Sequence, residues 1–168
     1  MAYRTQTHLE KAASMLLELL GTDRECVPAM VCLSQCYLML KQAPKARNHL
    51  KRVAKMPFVA ELAEDFERGW LMLADVYIAS GKYDLAEELC RRCLASNNAC
   101  AKAWEFLGVV KEKEMSYLDA ATHYEQAWKR GPFPLHTSVD TIRVLRLRRG
   151  STGVRLRPRW GTSSPSTT

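Results

Sequence analysis

Long apolar runs are missing from this 168-residue sequence. The longest, around Ser14 to Leu20, falls well short of the roughly 20 residues that a membrane-spanning helix requires, so no transmembrane segment is expected. The amino end lacks a basic stretch followed by an apolar one, which leaves no secretory signal to expect and makes a cytoplasmic setting the default. No glycine-rich loop that could cradle a phosphate is present. No Ser, Cys or carboxylate stands at a motif spacing from His8, His49, His123 or His136, so general-base chemistry has no framework here. Strand-like alternation is absent as well. Neither an enzyme nor a bound cofactor is expected from such a chain.

Charge of one sign is scarce over most of the length. Residues 1–134 hold 18 Lys and Arg against 17 Asp and Glu, a balance of +1. Residues 135–168 hold seven Arg against Asp140 alone, a balance of +6. The net +7 therefore belongs to the tail, and the remainder is nearly neutral. An Arg-rich tail is a potential contact for nucleic acid or an anionic surface. Only Trp160 accompanies those arginines after Phe133, however, which is little for base stacking and disfavours nucleic acid as a partner.

Six cysteines are present: Cys26, Cys32, Cys36, Cys90, Cys93 and Cys100. An even count would suggest disulfides in a secreted chain, but in a reducing compartment free thiols are expected. Cys90-x2-Cys93 and the Cys32/Cys36 pair are each half of a zinc-type spacing. Both fall on amphipathic helices, where a buried Cys behaves as a small hydrophobe, and no metal is expected.

What the sequence does contain is self-similarity at a fixed period. Trp70 recurs as Trp104, Leu73 as Leu107, Tyr83 as Tyr117 and Ala86 as Ala120, each after 34 residues. Ala74 maps likewise to Gly108, Cys90 to Tyr124, Cys93 to Ala127 and Asn98 to Pro132. This spacing, with Trp-x2-Leu-Gly/Ala, a later Ala-x3-aromatic and a closing Pro, is the tetratricopeptide pattern of paired helices. A third copy lies upstream, where Leu33, Ser34, Tyr37 and Ala46 match Leu73, Ala74, Tyr77 and Ala86 at an offset of 40. The six additional residues fit at Glu61 to Phe66, extending the next helix backwards. Ala12, Leu16 and Leu19 precede Ala46, Leu50 and Val53 by 34, so residues 7–20 read as the second helix of an incomplete repeat.

The expected fold is an all-α solenoid with helices near 7–20, 27–40, 43–56, 63–80, 83–96, 101–114 and 117–130. Its organisation is a half repeat at 7–20, then repeats at 27–60, 67–100 and 101–134, followed by a basic low-complexity tail at 135–168. Within that tail, residues 135–149 read as a short basic helix and the rest as disordered. Small residues Ser34, Ala74 and Gly108 are expected to face Ala46, Ala86 and Ala120 where paired helices come closest. Trp70, Leu73, Tyr77, Trp104 and Leu107 are expected between hairpins, and His49 and His123, at one repeat position, facing outward. Met15, Leu16, Leu19 and Leu20 lack a partner helix, and the pattern stops at Leu135, so the chain reads as a piece or a truncated product of a longer array.

Binding is expected in the groove lined by the first helices of the hairpins. Those positions are Val31, Gln35, Leu38 and Met39, then Arg68, Leu71, Asp75 and Ile78, then Lys102, Glu105, Val109 and Glu112. Chaperone-binding repeats of this type clamp a carboxylate with Lys, Arg and Asn, whereas Val31, Gln35, Leu71 and Asp75 stand at the matching positions here. The mixed apolar and charged lining suits an extended peptide or a helix.

Three stretches are more specific than the general repeat. They are Lys-Ala-Arg-Asn-His-Leu-Lys-Arg-Val-Ala-Lys-Met (45–56), Trp-Leu-Met-Leu-Ala-Asp-Val-Tyr-Ile-Ala-Ser-Gly-Lys-Tyr-Asp-Leu-Ala-Glu-Glu-Leu (70–89) and Ala-Ala-Thr-His-Tyr-Glu-Gln-Ala-Trp-Lys (120–129). They resemble the C-terminal region of the tetratricopeptide repeat protein 21 family, the large repeat subunit of intraflagellar transport complex A, with the A paralogue nearer than the B one. The resemblance covers about residues 5–130 and ends there. It implies a scaffold of retrograde ciliary transport, located in the cytoplasm and cilium, that contacts other complex A subunits and ciliary cargo. A general cytosolic repeat adaptor is the alternative, together with an anionic-surface or nucleic-acid binder acting through the tail.

Overall fold

Helix punctuation in this chain comes from proline at helix starts and from left-handed residues at helix ends. The computed structural model describes the backbone of residues 2–131, with side chains from residue 6 onward. The expected stop at Pro132, the basic helix over 135–149 and the remaining tail lie outside the described residues. Seven helices follow in order: α1 (Ala2–Thr22), α2 (Val27–Met39), α3 (Ala43–Lys55), α4 (Ala63–Ala79), α5 (Tyr83–Ser96), α6 (Ala101–Lys113) and α7 (Tyr117–Arg130). Of the six additional residues, Ala63 to Phe66 extend α4 backwards, whereas Glu61 and Leu62 belong to a 3-10 turn over Ala60–Leu62 that leads into it. No strand occurs among the described residues.

Pro28 and Pro44 sit in the first turns of α2 and α3, where a missing N–H leaves no helical hydrogen bond unmade. The three hairpin turns share one geometry. Lys41, Gly81 and Met115 take left-handed φ values of 57, 71 and 62°. The next residue then donates its N–H back across the turn: Gln42 to the Tyr37 carbonyl at 2.8 Å, Lys82 to Tyr77 at 2.9 Å and Ser116 to Lys111 at 2.9 Å. This 6→1 closure satisfies carbonyls that the helix end would otherwise leave open, and it folds the chain back sharply.

Each helix packs on its sequence neighbour, giving hairpins α2/α3, α4/α5 and α6/α7 behind the lone α1. First helices also pack on one another, α2 on α4 and α4 on α6, while second helices do not do so to a similar degree. The first helices therefore form the inner layer of the stack. Ser34, Ala46, Ala74, Ala86 and Ala120 are all fully buried at the crossings, as expected. Ser34 Oγ satisfies itself there by donating to the Met30 carbonyl at 2.7 Å. Leu33, Leu50, Val53, Phe66, Leu73 and Val110 complete the core at 1% exposure or less. Each such burial contributes roughly 1.5–3 kcal/mol, and most of it exists only because hairpins stack.

Two expectations need correction. On α1 the buried residues are Ala13 and Leu20, with Leu16 half-buried, and not Ala12 and Leu19. Helix α1 packs chiefly on α2, turning one stripe inward and leaving Met15 62% and Leu19 47% exposed. His49 and His123 do not face outward. They are half-buried and stacked on first-helix aromatics, His49 on Tyr37 at 5.9 Å and His123 on Trp104 at 5.7 Å. Burial pushes both imidazoles below the ordinary histidine value, with Arg52 adding to the effect at His49.

Candidate functional site

The inner face is built from one side of α2, α4 and α6, where residues three and four apart line up along each helix. Gln35, Met39, Arg68, Asp75 and Lys102 are exposed there, and Leu38, Leu71, Ile78, Val109 and Glu112 are half-buried. Ten of the twelve groove positions therefore present surface. Val31 does not. It is fully buried beneath α4, where a Cβ added at Gly69 would lie 3.3 Å from Val31 Cγ2. The glycine lets α4 settle onto α2, and that approach takes Val31 out of any partner's reach.

Glu105 is the other exception, at 9% exposed. Its Oε2 accepts from Lys102 Nζ at 3.0 Å, while its buried Oε1 has no hydrogen-bond partner. That oxygen is shielded from solvent, so Glu105, like Val31, lies beneath the face rather than on it. Elsewhere the charges are largely matched within the groove. Arg68 pairs with Glu64 at 3.2 Å, and Glu112 accepts the Tyr124 hydroxyl at 2.9 Å. Asp75 has no ion-pair partner among the described residues. The lining thus combines apolar Leu38, Leu71, Ile78 and Val109 with the exposed carboxylate of Asp75.

The outer face differs in chemistry. Helix α3 carries Lys45, Arg47, Lys51, Arg52 and Lys55 without an acidic residue. Between α3 and α5, Leu73, Tyr77, Leu85 and Leu89 floor an open cleft of about 240 Å³ rimmed by Lys51, Lys55 and Arg92. Arg92 stacks over Trp70 at 5.2 Å and donates to the Ala54 carbonyl at 3.1 Å, tying α5 to both α3 and α4. No helix of the described residues is long and apolar enough to cross a membrane.

No cysteine of the described chain is in a disulfide. Cys90 and Cys93 face the core, as their repeat positions imply, and Cys32 is exposed beside a half-buried Cys36. One group of metal-ligating side chains does converge, and it is neither of the pairs that spacing suggests. Glu67, Cys93 and Cys100 bring their ligand atoms within 4.8 Å of one another. Glu67 lies 26 residues before Cys93 with no motif between them, so only the fold reveals the grouping.

In its backbone the chain resembles the crystal structure of MamA with a TM-score of 0.66, covering 89% of this chain and 82% of that one at 20% sequence identity, which shows the helical-repeat fold. It is 49% identical over 129 residues to tetratricopeptide repeat protein 21B of Mus musculus, covering 77% of this chain and 10% of that protein. Identity to tetratricopeptide repeat protein 21A of the same species is 48% over the same length, so identity does not favour the A paralogue. The tetratricopeptide repeat protein 21 homolog of Caenorhabditis elegans is 35% identical over 102 residues, 61% of this chain and 8% of that protein. The chain spans about a tenth of the length of the mouse relatives, at 10% of each. Residues 1–132 match the family model for the tetratricopeptide repeat protein 21 C-terminal ARM domain, and with that match over most of its length the chain belongs to the tetratricopeptide repeat protein 21 family.

Proposed function

We propose that this chain is a non-enzymatic protein-binding scaffold of intraflagellar transport complex A, acting in retrograde ciliary transport and cilium assembly in the cytoplasm and cilium. Its partners are other complex A subunits and ciliary cargo proteins. Family membership supports the assignment to that machinery, and the hairpin stack supports the scaffold role.

The observation that carries the binding mode is the half-buried apolar set Leu71, Ile78 and Val109 beside the exposed carboxylate of Asp75. An amphipathic helix or extended segment would lay its apolar side chains on that set and supply a basic donor to Asp75. Ten groove residues make the contact in this reading, and Val31 and Glu105 support them from below.

The test is co-purification of complex A subunits with the tagged full chain from ciliated cells. Recovery is expected with the native chain, to be lost with Ile78→Asp and retained with Leu85→Asp on the outer face, both variants first checked for an unchanged melting profile. Failure to recover complex A subunits with the native chain would overturn the assignment. Equal recovery with both variants would overturn the groove.

A further inference from the structure

The repeats use the same positions for different chemistry. Where the first hairpin meets the second they are filled by Val27, Val53 and Phe66, all 3% exposed or less. In the third hairpin Ala101 and Ala127 stand at two of them. Where the second hairpin meets the third, Glu67, Cys93 and Cys100 stand at these same points. Packing alone is therefore met by hydrocarbon, and a carboxylate beside two thiols calls for a different reason.

The geometry points to a divalent-metal site, with the donor set suited to Zn2+, ligated by Glu67 from α4, Cys93 from α5 and Cys100 at the start of α6. Thiolate sulfur and carboxylate oxygen bind Zn2+ at about 2.3 and 2.1 Å, which places tetrahedral ligands about 3.5–3.8 Å apart. The ligand atoms here lie within 4.8 Å, so closure around an ion needs movement of about 1 Å, available to side chains alone. Three protein ligands leave a fourth position for water or a group from a partner.

Two of the three ligands are positioned by their surroundings. Cys100 is the N-cap residue of α6, which places its sulfur at the start of that helix. Asn97 Nδ2 donates to Glu67 Oε2 at 2.9 Å, holding that carboxylate in orientation from outside the ligand set. Cys90, one turn before Cys93, is fully buried and serves as apolar fill. On binding, the Cys93 and Cys100 thiol protons leave to solvent and both sulfurs coordinate as thiolates, so affinity rises with pH. Glu67 is only half-buried and offers the ion its way in.

The full chain, reduced and stripped with chelator, is titrated with Zn2+ against a chromophoric competitor and separately with Co2+, whose thiolate charge-transfer band reports sulfur ligation. A single equivalent is expected, with a raised Tm and the band present. Cys100→Ser should weaken binding and reduce the band, Cys93→Ser/Cys100→Ser should abolish it, Glu67→Gln and Asn97→Ala should each weaken Zn2+ by about 10-fold or more, and Cys32→Ser/Cys36→Ser should change nothing. If Cys100→Ser fails to fold, Glu67→Gln at its half-buried position decides the question. Absence of binding, binding lost only with Cys32→Ser/Cys36→Ser, or binding indifferent to Glu67→Gln would each overturn the site.

Discussion

The ring of Tyr124 lies so close to Gly108 that a Cβ on the glycine would fall 2.6 Å from Tyr124 Cε1. At the matching positions stand Ala74 and Cys90 in the second hairpin and Ser34 and Leu50 in the first. Tyr124, the largest second-helix residue of the three, is thus the one that stands opposite a glycine.

Gly108→Ala should therefore destabilise the chain by about 1–3 kcal/mol, since the Tyr124 ring must shift against a packed core. The loss should largely disappear in a Tyr124→Leu background, which restores the first hairpin's combination of small first-helix residue and aliphatic partner. Urea unfolding of the four species in this double-mutant cycle measures the coupling.

The turns offer a gain in stability. Lys41 adopts the left-handed φ of 57° that Gly81 adopts at the matching position of the next hairpin. A non-glycine residue there is strained by roughly 1–2 kcal/mol, part of which glycine's greater unfolded-state freedom offsets. Lys41→Gly should stabilise by about 0.5–1 kcal/mol, and Gly81→Ala should destabilise by about 1 kcal/mol, both read as shifts in Tm.

The Glu87–Lys111 ion pair joins the second hairpin to the third at 3.1 Å, with side chains only 16 and 21% exposed. Arg91 also reaches Glu87 at 2.6 Å but is 72% exposed. Removing Lys111 leaves a largely buried carboxylate short of a donor, so Lys111→Ala should cost about 1.5–3 kcal/mol. Arg91→Ala should cost no more than about 1 kcal/mol. Chemical denaturation of each variant distinguishes them.

Acid should weaken the stack through its stacked histidines. His49 and His123 have folded values below the ordinary 6.5 because burial penalises the imidazolium. The unfolded chain therefore takes up protons first as pH falls. Their stability contribution is present in full above 6.5 and is lost as pH falls from there toward the lowered folded values. Tm should drop between about pH 7 and about pH 5, and His49→Gln/His123→Gln should flatten that drop.

Helix number, hairpin order and the place of the six additional residues were legible because the 34-residue period repeats large and small residues that only one packing satisfies. The groove was legible as a face but not atom by atom. Val31 fits the periodicity of a lining residue, yet Gly69 lets α4 cover it, and that depends on how closely two first helices approach. The Glu67–Cys93–Cys100 grouping has no sequence spacing at all, being made by three helices that meet only in the stack.

The central claim is that partners bind the inner face formed by α2, α4 and α6. Photo-crosslinking from single positions tests it most directly, with the reactive group placed at Ile78 or Met39 on the inner face and at Leu85 or Leu118 on second helices. All four side chains are at least partly exposed. The account predicts crosslinks to complex A subunits from Ile78 and Met39 and none from Leu85 and Leu118. Crosslinks from the second-helix positions alone would contradict it.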